Sequence, residues 1–289
     1  MKYTKGERIF NIFNILILSI VGLVMLYPLL YIFIVSISTM AGAGAGQLIP
    51  KEITFSAYKV VLGSKELLTA LGVSLLRTVV GTSITVVVTA MCAYALSIKK
   101  LPHRNAIMFL IVFTMLFSGG IVPTYMVVKG LGLIDSFFVY IFPMLLDVFC
   151  ILILKNYFEQ IPESIIDSGY LDGAGDFNIL FRLYIPLSKP VVATVALITA
   201  LGHWNSWFDS MIYINNPDLK VLQLFLREMI VESNFFYHYS SVIMVNSENI
   251  SSETIKAAIV VITILPIFIA YPFVQKYFVK GIMLGSTKE

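Results

Sequence analysis

Residues 12–37 read IFNILILSIVGLVMLYPLLYIFIVSI, and no charged residue stands between Arg8 and Lys51. Lys2, Lys5 and Arg8 precede this run and small residues follow it near Ala41–Gly46, an arrangement that a secretory signal would also show. The apolar stretch is longer than the roughly 7–15 residues of a signal h-region and long enough to cross a bilayer. We read it as a retained first transmembrane helix.

The rest of the chain follows the same rule. Of 289 residues, 58% are hydrophobic and only 13% are charged, with a mean hydropathy of +0.88. Soluble domains carry about 25% charged residues, so the surplus apolar surface is meant for lipid. An unpaired charge at the bilayer centre costs at least ~2.5 kcal/mol, and charge-free gaps therefore mark the spans. Such gaps lie between Arg77 and Lys99, Arg104 and Lys129, Lys189 and Asp209, and Lys256 and Lys276. A further apolar stretch, Val139–Tyr157, is interrupted by Asp147. The expected fold is all-α and integral to the membrane, with six transmembrane helices.

Basic residues set the expected orientation. With the N-terminus cytoplasmic, the inner segments hold Lys2, Lys5, Arg8, Lys99, Lys100, Arg104, Lys155, Arg182, Lys189, Lys276, Lys280 and Lys288, twelve of the 20 Lys and Arg. The other eight are spread over longer outer loops, of which the two largest are about 38–74 and 213–255. Both termini are expected inside. The second outer loop contains Tyr237, His238, Tyr239 and Asn246–Asn249, polar and aromatic enough to meet a partner or a sugar.

Several classes of function are disfavoured. A net charge of +3 does not imply nucleic acid. Cys92 and Cys150 lie in apolar segments and read as small hydrophobes, while His103, His203 and His238 have no metal-ligand spacing. No metal, cofactor or catalytic residue is expected. No glycine is followed by lysine, so the Gly-x4-Gly-Lys phosphate loop is missing. The chain is not expected to be an enzyme, and any ATP it uses must be hydrolysed by another subunit.

One inner loop, about 159–189, has its own character. It runs Ile161-Pro162-Glu163-Ser164-Ile165-Ile166-Asp167-Ser168-Gly169-Tyr170-Leu171-Asp172-Gly173-Ala174-Gly175, then on through Arg182 to Ile185-Pro186-Leu187-Ser188-Lys189-Pro190. Pro162 suits a first helical turn, and Glu163 and Asp167 favour the positive end of the dipole. Gly169 and Gly173 permit a bend and close approach. Ile166, Tyr170 and Ala174 recur at i, i+4, i+8 and make one narrow apolar stripe. The pattern predicts a helix–turn–helix, with Pro186 and Pro190 closing the second helix and setting entry into the next span.

These residues resemble the EAA loop of ABC importer permeases, Glu-Ala-Ala, three residues, Gly, then Ile/Leu-x-Leu-Pro. Asp172-Gly173-Ala174 and Ile185–Pro190 match the saccharide-importer version, and Asp167-Ser168-Gly169 stands where Glu-Ala-Ala is usual, with the charge kept. Phe117-Ser118-Gly119-Gly120 with Ile121–Tyr125, and Gly202–Phe208, resemble a branch associated with complex oligosaccharides. Val279–Ser286 resembles the family C-terminus that reaches toward the ATPase. The resemblance covers nearly the whole chain. It implies a type I, maltose-permease-like subunit in the bacterial cell membrane, with the transmembrane domain at 72–276 between an N-terminal segment 1–71 and a cytoplasmic tail 277–289. Asp167, Gly169, Asp172, Gly173, Ala174, Arg182 and Pro186 would then couple to a separate ATPase dimer. The other implied partners are a second homologous permease, an extracytoplasmic solute-binding protein, membrane lipid and a saccharide. A glycerol phosphate ester is an alternative cargo, and a secondary transporter a rival class.

Trp204, Asn205, Trp207 and Asp209 cluster near the end of one gap. Aromatic faces stack on sugar rings and polar groups bond hydroxyls, so they suit a saccharide pathway, or else an interfacial aromatic belt. Asp147 binds sugar or pairs across the bundle. Gly119-Gly120 with Pro123 unwinds a span along a cavity, or packs helices closely.

Overall fold

The opening apolar stretch forms one helix whose first turn is held locally. The computed structural model describes residues 4–39, 52–231 and 251–286. Helix α1 spans Lys5–Ser36. Thr4 Oγ1 accepts the Glu7 N–H at 3.3 Å, and the Glu7 carboxylate accepts the Thr4 N–H at 2.7 Å. This capping box satisfies two donors that the helix cannot. Its 32 residues give a rod of about 48 Å, more than a ~30 Å hydrocarbon layer requires. None of its most apolar window is buried within the chain, as befits a helix whose solvent is lipid.

The chain divides into two compact units, Met1–Lys65 with Glu228–Leu265, and Glu66–Arg227 with Pro266–Glu289. In the first, Ser36 and Tyr58 share a hydrogen bond of 2.6 Å that ties the end of α1 to α2 (Ser56–Gly63). The Thr54 N–H donates to the Ile37 carbonyl at 2.8 Å beside an isolated bridge between Ser38 and Ile53. Tyr237, His238, Tyr239 and Asn246–Asn249, and Ala41–Gly46, lie outside the described residues.

The second unit is organised by α3 (Lys65–Ser97). After it come α4 (Arg104–Leu116), α5 (Ile121–Gly130), α6 (Val148–Phe158), α7 (Glu163–Leu171), α8 (Asp176–Ile179), α9 (Ile185–Leu187), α10 (Lys189–Asn205), α11 (Phe208–Tyr213) and α12 (Leu222–Val231). The last helix, α13, covers Ser252–Ser286, so it continues through the segment expected as a tail. Two cores sit on α3. One gathers Ala90, Ala93 and Tyr94 with Leu154, Phe158, Leu180, Tyr184 and Val195. The other gathers Val128, Val139, Tyr140, Tyr213 and Leu224, with Val73 packed on it. Val73 and Ala93 are about 30 Å apart along the helix axis, so the cores occupy its opposite ends.

Three helices, α1, α3 and the Ser252–Ala270 part of α13, are long and apolar enough to cross a membrane. The other apolar stretches are bent. The α4–α5 pair turns by 115°, the 3₁₀ run Phe137–Met144 meets α6 at 52°, and the α8–α9 segment meets α10 at 90°. Each bend has a cause in the sequence. Gly120 takes φ +84° before α5; Asp147 caps α6; Ser188 leaves helical geometry just ahead of Pro190. The spans therefore number three to six, depending on whether each bent pair crosses as one.

The start of α3 corrects the charge-gap reading. The gap placed the second span after Arg77, but the helix begins at Lys65 and Arg77 lies well inside it, wholly buried. A charge interrupts a span only when it has no partner, and Arg77 has one.

Candidate functional site

The loop between α6 and α10 folds as the helix–turn–helix its glycines and prolines predict. Helix α7 ends at Leu171, and Gly173, at φ +80°, turns the chain back. The Gly173 N–H donates to the Tyr170 carbonyl and the Ala174 N–H to the Gly169 carbonyl, both at 3.0 Å. That pair of bonds is a Schellman cap, which needs a left-handed residue between its two donors and so favours glycine. Gly169 serves closeness: a Cβ there would lie 2.9 Å from Leu183 Cδ1. Behind the turn, residues 180–184 wind as a π-helical segment carrying Arg182, and Pro186 sits in the first turn of α9.

The predicted stripe divides into two roles. Ile166 and Ala174 pack against the Tyr94–Tyr184 core. Tyr170 is polar in its action: its hydroxyl donates to Asp176 Oδ1 at 2.7 Å and lies 3.1 Å from the Tyr94 hydroxyl, which also donates to Asp176 Oδ1 at 2.9 Å. Lys99 pairs with Glu163 at 2.9 Å, and this hydrogen bond with its charge holds the Glu163 carboxyl below its ordinary range. Outward, the loop shows apolar surface. Leu171 is 88% and Phe177 68% exposed, with Asp167, Asp172 and Arg182 exposed around them. Leucine and phenylalanine standing this far out of a cap rich in hydrogen bonds make a surface fit for a protein partner.

At the other end of α3 the structure brings together residues that the sequence analysis treated separately. Arg77 and Asp209 form a buried ion pair, and Arg77 also donates to the Ser206 carbonyl at 3.2 Å. Its guanidinium lies 4.5 Å from the centre of the Tyr140 ring. Asp209 accepts from Ser206 Oγ and the Ser210 N–H; the Tyr140 hydroxyl donates to the Leu219 carbonyl at 2.7 Å and lies 2.9 Å from Ser210 Oγ. Charge-free gaps give Arg77 no role beyond bounding a span. The signal for the pair was there: one charge-free gap starts at an arginine and another ends at an aspartate. Nearby, the His203 ring is so close to α3 that a Cβ on Gly81 would lie 2.7 Å from it.

The remaining candidates are thereby sorted. Trp204 is buried. Trp207 lies under the Arg227 guanidinium, 4.2 Å from its ring centre. Asn205 is exposed. Asp147 caps α6 by accepting the Cys150 N–H at 3.0 Å. Cys92 and Cys150 are free thiols, and among the described residues no His, Cys, Asp and Glu gather into a metal-binding group.

Long apolar helices with their charges paired inside, and an apolar-faced turn exposed at one end, define an integral membrane protein built to engage a partner. No family model matches the chain. Over its whole length it is 39% identical to Protein LplC of Bacillus subtilis, covering 98% of that protein. It is 35% identical to the polygalacturonan/rhamnogalacturonan transport system permease protein YtcP of the same organism, with 98% of this chain and 99% of the other covered. A chain in the crystal structure of a bacterial ABC transporter involved in import of the acidic polysaccharide alginate superposes with a TM-score of 0.89. That match has 38% identity over 96% of this chain and 99% of the other. The chain belongs to the carbohydrate-uptake permeases of ABC importers, which are integral proteins of the cytoplasmic membrane and transport without being enzymes.

Proposed function

We propose that the chain is one permease half of an ATP-driven saccharide importer and that the segment from Asp167 to Pro186 couples it to a separate ATPase dimer. The observation that carries this reading is the exposed Leu171–Phe177 surface on a glycine-dependent, hydrogen-bonded cap. A merely connecting loop has no need to hold large apolar side chains in water. Asp167 and Asp172 supply charge at its rim, and Arg182 a countercharge for an acidic ATPase group.

In this reading α1, α3, α13 and the three bent segments make six crossings, with the domain core at 72–276 and both termini in the cytoplasm. A second homologous permease completes the pathway, and a solute-binding protein delivers cargo from outside. The relatives' polysaccharide cargoes support an oligosaccharide here, and the comparisons do not favour the phosphate ester. Closure of the ATPase dimer drives the coupling segment and tips the bundle between outward-open and inward-open states. Asp209 and Trp204 shape the wall from within, and Trp207 does so beneath Arg227. Asn205 and the second oxygen of Asp147 keep hydrogen-bonding capacity for sugar hydroxyls.

Affinity purification of the tagged chain from its native membrane tests the assignment. The expected co-purifying set is a second permease and an ATPase, with ATP hydrolysis by the complex. Gly173→Val should abolish uptake while the chain still inserts. Normal uptake by that variant overturns the coupling role.

A further inference from the structure

Helix α7 is tied near both of its ends and flanked by an open groove. A cavity of about 690 Å³ separates it from the end of α3, lined among others by Ser97, Ile98, Ile166, Asp167 and Tyr184. At the N-terminal end the tie is Lys99–Glu163, whose side chains are 70% and 77% exposed. Salt screens such a pair and side-chain entropy opposes it. At the other end the tie is the Asp176 carboxylate, which receives both phenol hydroxyls, from Tyr170 on α7 and Tyr94 on α3. Hydrogen bonds to an ionised carboxylate are the shorter and stronger kind, and one of these donors is buried and immobile. The Tyr94 ring stands edge-on to Tyr184 at 5.0 Å, and Tyr184 in turn stands edge-on to Phe158 of α6 at 5.0 Å.

We infer that Asp176, Tyr94 and Tyr170 form the joint through which a push on the coupling helix is passed to α3. They are positioning residues, and the inference rests on the coupling role proposed above. The Asp176 carboxylate joins Tyr170 of α7 to Tyr94 of α3 at one point, so a load on α7 carries α3 with it. Asp176 lies beyond the turn that carries Leu171, so a load applied there reaches α3 through two hydrogen bonds as well as along the Ala174–Gly175 backbone.

The test uses the complex purified with its second permease and ATPase. Cysteines at Ser164 on α7 and Ser83 on α3, with Cys92→Ala and Cys150→Ala, carry spin labels for a pulsed distance measurement. In the parent, ATP with vanadate leaves the distance distribution unchanged, because α7 and α3 move together. Tyr94→Phe, which keeps the ring against Tyr184, and Asp176→Asn let nucleotide shift the distance by about 2 Å or more, the scale of helix displacements in switching proteins. ATP hydrolysis continues in both, and Lys99→Ala behaves as the parent. A nucleotide shift already present in the parent, or none in either variant, overturns the joint. Failure of any ATPase to co-purify with the parent overturns the coupling role itself.

Discussion

At the Tyr140 end of α3, charge is hidden; at the Tyr94 end, apolar surface is shown. Arg77 has no solvent exposure and meets Asp209, the Ser206 carbonyl and the Tyr140 ring. Leu171 and Phe177 face outward, although leucine and phenylalanine are ordinarily the residues a fold conceals. The two ends break the same rule in opposite directions, for different reasons. The buried charges are tolerable because each has the other as partner, with Ser206, Ser210 and Tyr140 bonded around them. The exposed side chains are tolerable if something outside the chain covers them. Under the coupling role proposed above, stability and coupling fall to separate ends of one helix.

Substitutions separate the two ends. Asp209→Ala leaves Arg77 buried and unpaired and should cost about 3–5 kcal/mol, read as a fall in the thermal unfolding temperature of the detergent-solubilised chain. Replacing both partners, Arg77→Met with Asp209→Leu, should recover most of that loss. Gly81→Ala forces a methyl into the His203 ring and should cost about 1–3 kcal/mol by the same measurement. At the other end, Gly173→Val places a branched side chain at φ +80° for about 1–2 kcal/mol; its main effect should be loss of uptake. Leu171→Ser should leave stability within about 0.5 kcal/mol yet weaken ATPase association about tenfold in a binding titration. Equal destabilisation by Leu171→Ser and Asp209→Ala would erase the contrast.

The smallest expected effect concerns pH. Asp135 accepts the N–H groups of Asn216 and Asn215, and these backbone bonds, Asn216 first, hold its carboxyl below the ordinary value of 3.8. A carboxyl depressed on folding adds stability that is fully present above its unfolded pKa and is lost as pH falls through the folded one. Asp135→Asn should therefore lower stability slightly at neutral pH, match the parent at low pH and flatten the acid side of the profile below about pH 4. An acid limb as steep as the parent's assigns that loss to other groups.

Much of the coupling end could be read in order along the chain. Gly173 turns, Pro162 precedes α7, and the Ile166–Ala174 spacing marks the packed face, because each of these is a local backbone or periodicity effect; Pro186, expected to close the second helix, lies inside the helical run that ends at Leu187. The far end could not. Arg77 and Asp209 are 132 positions apart, and a rule built on unpaired charges stops a span at either of them. Tyr94 reads as one more aromatic residue in an apolar run until Asp176 is set beside it. That Asp147 caps a helix at a bend is likewise a local contact that its place in an apolar run does not reveal.

The sequence alone therefore determined the solvent, the helical class, the glycine-dependent turn and the family, because hydropathy, backbone sterics and a contiguous motif all act over short distances. The tertiary structure alone decided where α3 starts, which charges cancel and which tyrosines meet at Asp176. The reason is that partnership is a property of distance in space. A buried charge is ruinous or harmless according to whether an opposite one stands within a few ångströms, and that neighbour can come from anywhere in the chain.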